Sequence, residues 1–257
     1  MAKFLFVSEI FDSLQGEGPF LHPAIFLRTA LCNLSCKGFD CSYKTDDGRI
    51  IRGCDTIRAV DPYFMDKWLK FYDKESLIKK IQEHKRNYPF SKRLQDIIIT
   101  GGEPLLHTDN EILLDTLEYF HLLGHQICFE TNASLDIEFK RDFLKDSTFA
   151  MGVKLSDSLE DKAKRININT INYIYKNSKN SYLKFVVSEE NFKTQIEEIK
   201  EILSKTDPSI QVFLMPKAKD MEELEKNCRF VIEKCIEYGF NYTDRSHIRA
   251  WNTKEGV

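Results

Sequence analysis

Four of the chain's seven cysteines, Cys32, Cys36, Cys41 and Cys54, fall within one stretch, "CNLSCKGFDCSYKTDDGRIIRGCDT". Thiolates at close spacing are ligands for soft metals and iron–sulfur clusters. Four would close a structural site, whereas three leave a coordination position open for chemistry. The gaps of three, four and twelve residues are unlike the two Cys-x2-Cys pairs that structural zinc favours. A zinc-binding interaction module is therefore the weaker alternative. The other three cysteines read differently. Cys228 and Cys235 lie seven apart in a helical pattern with Met221, Leu224, Val231 and Ile232, and Cys128 sits inside "QICFE". Free cysteine behaves as a small hydrophobe, so all three are expected in the core.

More polar residues stand where elements end. Arg28 closes "AIFLR", and its planar fork suits a carboxylate better than lysine would. "TGGEP" follows "DIII", with glycines that permit a sharp turn or close backbone approach. "SLQGEG", Glu130 in "ETN" and Lys154 in "GVKLS" occupy similar positions. The six histidines show no metal-binding spacing.

Positioning these groups needs a scaffold, and the apolar period supplies one. Strands are expected at "KFLFVSEIF", "AIFLR", "DIIIT", "QICFET", "FAMGVKLS", "YLKFVVS", "IQVFLMP" and "SHIRAW". Helices are expected at "ESLIKKIQEHKRNY", "NEILLDTLEYFHLLG", "DIEFKRDFLKD", "FKTQIEEIKEILSK" and "MEELEKNCRFVIEKCIEYG". A polar Asn/Ile/Lys stretch between "FAMGVKLS" and "YLKFVVS" receives no assignment. Apolar strands alternating with helices indicate an α/β fold with a parallel sheet covered on both faces, and loops after such strands carry chemistry. No Pro-, Gly- or Ser-rich boundary divides the 257 residues, so one domain over 1–257 is expected. A net charge of −3 gives no ground for nucleic-acid binding. The N-terminus does not read as a signal peptide and no apolar run reaches membrane length, so a cytoplasmic location is expected.

"SLQGEG", "CNLSC", "GCDT", "TGGEPLL", "ETN" and "VKLS", in that order, resemble the radical S-adenosylmethionine enzymes. Within them the chain is most similar to the 7-carboxy-7-deazaguanine synthases, and the resemblance runs over nearly its whole length. It implies a modified, partial (β/α) barrel of about six parallel strands. Against the family's common cluster motif the chain carries an insertion between the second and third cluster cysteines, and a charged segment follows at about 57–74. The family's Asp-Thr pair follows its third cluster cysteine, and here it follows Cys54. On that basis Cys32, Cys36 and Cys54 would hold a 4Fe–4S cluster, with Cys41 as the spare. Thr56 would bind Mg2+. Leu14, Gln15, Gly16, Arg28 and Thr100 would hold the substrate. Gly53, Asp55, Gly102, Glu130, Gly152 and Lys154 would bind S-adenosylmethionine. The reaction implied is radical ring contraction of 6-carboxy-5,6,7,8-tetrahydropterin to 7-carboxy-7-deazaguanine, with loss of ammonia. A flavodoxin- or ferredoxin-like electron donor and a homodimer are implied too. A glycyl-radical activating enzyme is the alternative; "SLQGEG" and the Thr of "CDT" count against it.

Overall fold

The computed structural model describes residues 4–19, 21–39, 41–254 and 256. The first strand, expected from Lys3 (outside the described residues), is β1 (Leu5–Leu14), antiparallel to β2 (Pro23–Thr29). A separate hairpin follows, β3 (Cys41–Lys44) and β4 (Ile50–Gly53), then α1 (Ile57–Val60), a 3-10 segment Pro62–Lys67 and β5 (Leu69–Phe71). Next come α2 (Lys74–Gln82), β6 (Asp96–Gly101), α3 (Glu111–Leu122), β7 (Ile127–Thr131), α4 (Phe143–Asp146) and β8 (Thr148–Met151). The chain ends with α5 (Lys162–Arg165), α6 (Ile168–Asn177), β9 (Tyr182–Val187), α7 (Phe192–Leu203), β10 (Gln211–Pro216), α8 (Met221–Tyr238), β11 (Asn241–Tyr242) and α9 (Ser246–Trp251).

The main sheet has nine strands among the described residues, in the order β11-β10-β9-β8-β7-β6-β2-β1-β5. From β2 to β11 neighbouring strands pair in parallel, while β1 is antiparallel to both of its neighbours, β2 and β5. The count exceeds the six parallel strands expected because β1 joins antiparallel, and β5 and β11, three and two residues long, are too short to carry a period.

Strand parity separates core from site. Ile25 and Leu27, Ile97 and Ile99, Ile127 and Phe129, Leu183 and Phe185, and Val212 and Leu214 point into the main core beneath the helices. The alternate residues point the other way, so Phe26 and Ile98 meet Phe11 and Cys128 there. In β1 a register shift between Val7 and Glu9 changes the parity. Leu5, Val7 and Ile10 all reach the core, which leaves Glu9 and Phe11 on the opposite face. The helices start at local caps. Asn110 accepts from Ile112 N and Leu113 N at 3.1 and 3.3 Å, and Asp220 accepts from Glu223 N at 2.9 Å.

Several expectations are corrected. "SHIRAW" is helix α9, not a strand: β11 already occupies the edge beside β10, and only Ile248 of the six is buried, against Ala218 and Leu224. Most of "DIEFKRDFLKD" is non-helical, because Leu135, Ile137 and Phe139 pack on the core with a period of two. "FAMGVKLS" leaves the sheet at Met151, and "ESLIKKIQEHKRNY" is helical only to Gln82. The unassigned polar stretch forms α5 and α6. Cys235 is buried as expected, but Cys228 and Cys128 are only half-buried, Cys128 because its parity turns it away from the main core.

Candidate active site

At the C-terminal ends of the parallel strands lies a cavity of about 750 Å³. Cys32, Cys36, Cys54, Asp55, Thr56, Leu14, Gln15, Gly16, Arg28, Thr100, Gly102, Glu130, Gly152 and Lys154 all line it. Gly53 does not; it is buried, with the Ser35 carbonyl and Ile57 side chain around it. Parity explains much of the convergence. Arg28 pairs in register with Thr100, and Glu130 lies on the same face of β7 as Cys128.

The thiols of Cys32, Cys36 and Cys54 lie close enough to influence one another's charge. Burial, then the Glu103 carboxylate and the other two sulfurs, push Cys32 up to about 12. Burial also pushes Cys36 up to about 12, against the pull of the Lys154 ammonium, and burial and Asp55 raise Cys54. Cys41 lines the cavity as well; the hairpin pairs it with Gly53, and it senses Cys54. Among the described residues, no three His, Cys, Asp or Glu side chains converge tightly enough to hold a single metal ion. Thr56 occupies the N-cap of α1 without capping it, and its hydroxyl lies 3.1 Å from the Cys54 sulfur.

The "TGGEP" turn is close-packed against protein. A Cβ on Gly102 would fall 1.7 Å from the Leu31 carbonyl oxygen, and Gly101 has φ +103°. Gly102 N donates to Thr29 O and Glu103 N to Leu31 O, at 2.9 and 2.8 Å. These glycines therefore join β6 to the backbone that leads into Cys32. The buried Glu103 carboxylate extends the join to β7, accepting from Leu105 N and Asn132 N at 2.9 and 2.8 Å.

Three of the anticipated ligand-binding residues meet directly. The Glu130 carboxylate accepts from Gln15 Nε2 at 2.9 Å and Thr100 Oγ1 at 2.8 Å. Arg28 lies over the Phe11 ring, with its Nε 3.5 Å from Glu9. Lys154 lies 5.7 Å from the Phe39 ring centroid.

A second charged group in the cavity escaped the sequence reading. Glu17 pairs with Lys184 at 3.1 Å and Arg245 at 2.9 Å, with His247 at 3.8 Å, and Arg245 also pairs with Asp55. Burial alone would raise Glu17, but Arg245, Lys184 and His247 outweigh it and hold the carboxyl well below its usual range. Burial disfavours a charged Lys184, yet Glu17 and Glu130 raise its pKa overall. A signal for Lys184 was present: a lone lysine in the apolar strand "YLKFVV" requires a buried partner. His247 was hidden by reading "SHIRAW" as a strand, Arg245 immediately precedes that segment, and Glu17 stands within "SLQGEG" itself.

No protein-family model matches the chain. A 7-carboxy-7-deazaguanine synthase of Halobacterium salinarum is 29% identical over 261 residues, spanning 96% of this chain and 90% of its own. One from Bacteroides thetaiotaomicron is 31% identical over 159 residues, 62% of this chain and 68% of its own. One from Rhodopirellula baltica is 25% identical over 98% of this chain and 89% of its own. The crystal structure of Streptococcus suis SuiB aligns with 67% of this chain and 43% of its own, at 15% identity and a TM-score of 0.46.

Proposed function

The chain belongs to the 7-carboxy-7-deazaguanine synthase family, and we propose that it performs the reaction that name describes. It is a lyase that converts 6-carboxy-5,6,7,8-tetrahydropterin to 7-carboxy-7-deazaguanine with loss of ammonia, a step of queuosine biosynthesis. The observation that carries this reading is the meeting of Cys32, Cys36 and Cys54 at one cavity with Gln15, Arg28, Thr100 and Glu130. Three soft thiolates suit a 4Fe–4S cluster and would leave one iron open. When bound, the cluster and S-adenosylmethionine supply the radical chemistry.

The chain's own residues bind and orient. Cys32, Cys36 and Cys54 hold the cluster at the cavity wall. Gly53, Asp55, Gly102, Glu130, Gly152 and Lys154 serve S-adenosylmethionine: Gly152 by leaving open space, Lys154 by its charge, and Gly53 and Gly102 by holding the backbone that carries the thiols. Glu130 exchanges its bonds to Gln15 and Thr100 for ligand donors. Arg28 grips the substrate carboxylate and aims the ring, while Leu14, Gln15 and Gly16 meet its base-like edge. Thr56 would offer Mg2+ one neutral hydroxyl oxygen. The sheet acts as a partial barrel and the chain as a single domain. The protein works in the cytoplasm as a homodimer, reduced by a flavodoxin- or ferredoxin-like donor. Among the described residues no helix is long and apolar enough to cross a membrane.

Anaerobic reconstitution with iron and sulfide tests the reading. The parent chain and Cys41→Ala should take up a cluster, and Cys54→Ala should not. Loss in Cys41→Ala with retention in Cys54→Ala reverses the ligand assignment. A parent chain that takes up none contradicts the function.

A further inference from the structure

The second cysteine of the triad is held by a residue far away in sequence. Cys36 has a positive φ of +45°, a region that side chains other than glycine rarely occupy. One carboxylate oxygen, Glu160 Oε1, accepts from Ser35 N at 2.6 Å, Ser35 Oγ at 2.7 Å and Cys36 N at 2.8 Å. Three donors on one oxygen leave the Ser35–Cys36 peptide little freedom to turn. The loop also lies flat against the segment that carries Glu160, since a Cβ on Gly38 would come 1.8 Å from the Asp157 carbonyl oxygen.

That segment is itself fixed. Buried Arg165 donates to Glu160 O at 3.2 Å, to Lys154 O at 2.9 Å and to Glu198 Oε1 at 2.9 Å. The other oxygen of Glu198 accepts from Ser156 N at 2.7 Å. A chain of bonds thus runs from α7 through Arg165 to Glu160 and on to Cys36. It passes the backbone of Lys154, so one support serves two walls of the cavity.

We propose that Glu160 is a positioning residue that presets Cys36, holding its backbone left-handed so that its sulfur already faces Cys32 and Cys54 before a cluster binds. This rests on the cluster reading for its purpose, but the clamp exists in the chain without metal and can be measured there. Three hydrogen bonds to a charged acceptor hold more strongly than neutral ones, so their loss should let the peptide relax toward negative φ.

The test compares Glu160→Ala and Glu160→Gln with the parent, and with Glu201→Ala, which breaks the exposed Lys162–Glu201 pair on the same side of the molecule. The first readout is iodoacetamide labelling of each cysteine in metal-free protein, resolved by mass spectrometry. In Glu160→Ala, Cys36 should react at least about fivefold faster while Cys128 and Cys235 keep their parent rates. Glu160→Gln retains an acceptor oxygen and should fall between, and Glu201→Ala should match the parent. The second readout is the rate at which a chelator bleaches the reconstituted cluster, which should rise in the same order. Cys36 labelling in Glu160→Ala within about twofold of the parent overturns the clamp, as does acceleration of all seven cysteines together. A parent chain that takes up no cluster overturns the proposed function instead, and the labelling still decides the clamp.

Discussion

Replacing Gly102 with alanine adds one methyl group at the closest backbone approach in the site. Its Cβ would stand 1.7 Å from the Leu31 carbonyl oxygen and 2.5 Å from the carbonyl carbon, where contacts under 3.0 Å essentially never occur. The neighbour is backbone, so no rotamer change relieves it. The two segments must part by more than an ångström, which breaks the 2.8 Å bond from Glu103 N to Leu31 O and displaces Cys32, the next residue. Overpacking of this kind costs roughly 1–3 kcal/mol, and the lost hydrogen bond about 1 more. At about 2–4 °C per kcal/mol for a chain of this size, thermal unfolding should fall by roughly 5–15 °C. Gly152→Ala is the control: its Cβ would meet nothing nearer than 3.7 Å, so its melting temperature should stay within about 2 °C of the parent. Scanning calorimetry on metal-free protein measures both. A Gly102→Ala chain that melts with the parent would show that this turn is not clamped to the Cys32 segment.

The Glu17 cluster should appear in acid. A carboxyl held below its reference of 4.5 contributes stability that is complete above that pH and is lost as pH falls through the depressed folded value. Glu17→Gln should therefore cost roughly 3 kcal/mol at neutral pH and flatten the denaturation midpoint below about pH 4.5; a variant as steep in acid as the parent would remove Glu17 from the account. Arg28→Lys keeps the charge and loses the fork, so it should raise the KM for the carboxypterin about tenfold. It should also increase abortive 5′-deoxyadenosine per product. Unchanged steady-state kinetics would free Arg28 from that role.

The sequence revealed the parallel strands and the ends at which Arg28, Thr100 and Glu130 stand, because strands covered on both faces read as short apolar runs that stop where the chain turns polar. What escaped it has particular causes. The register shift in β1 reverses parity through pairing with β2, which no single strand displays. β5 and β11 are defined by their neighbours rather than by pattern. The glycines of "TGGEP" suggested approach to a ligand, and nothing in the motif itself displayed their close packing against Leu31, Arg28 and Thr29. Glu17, Lys184 and Arg245 come from three remote segments, and only the fold brings them together. Glu160 lies 124 residues from Cys36 and carries no motif of its own.

The central claim is tested most directly by anaerobic turnover of the reconstituted, reduced protein with 6-carboxy-5,6,7,8-tetrahydropterin in large excess over S-adenosylmethionine. Both 7-carboxy-7-deazaguanine and 5′-deoxyadenosine are quantified over time. The account predicts more product molecules than S-adenosylmethionine molecules supplied, with 5′-deoxyadenosine lagging far behind product. No 7-carboxy-7-deazaguanine, or one S-adenosylmethionine consumed for each product formed, would contradict it.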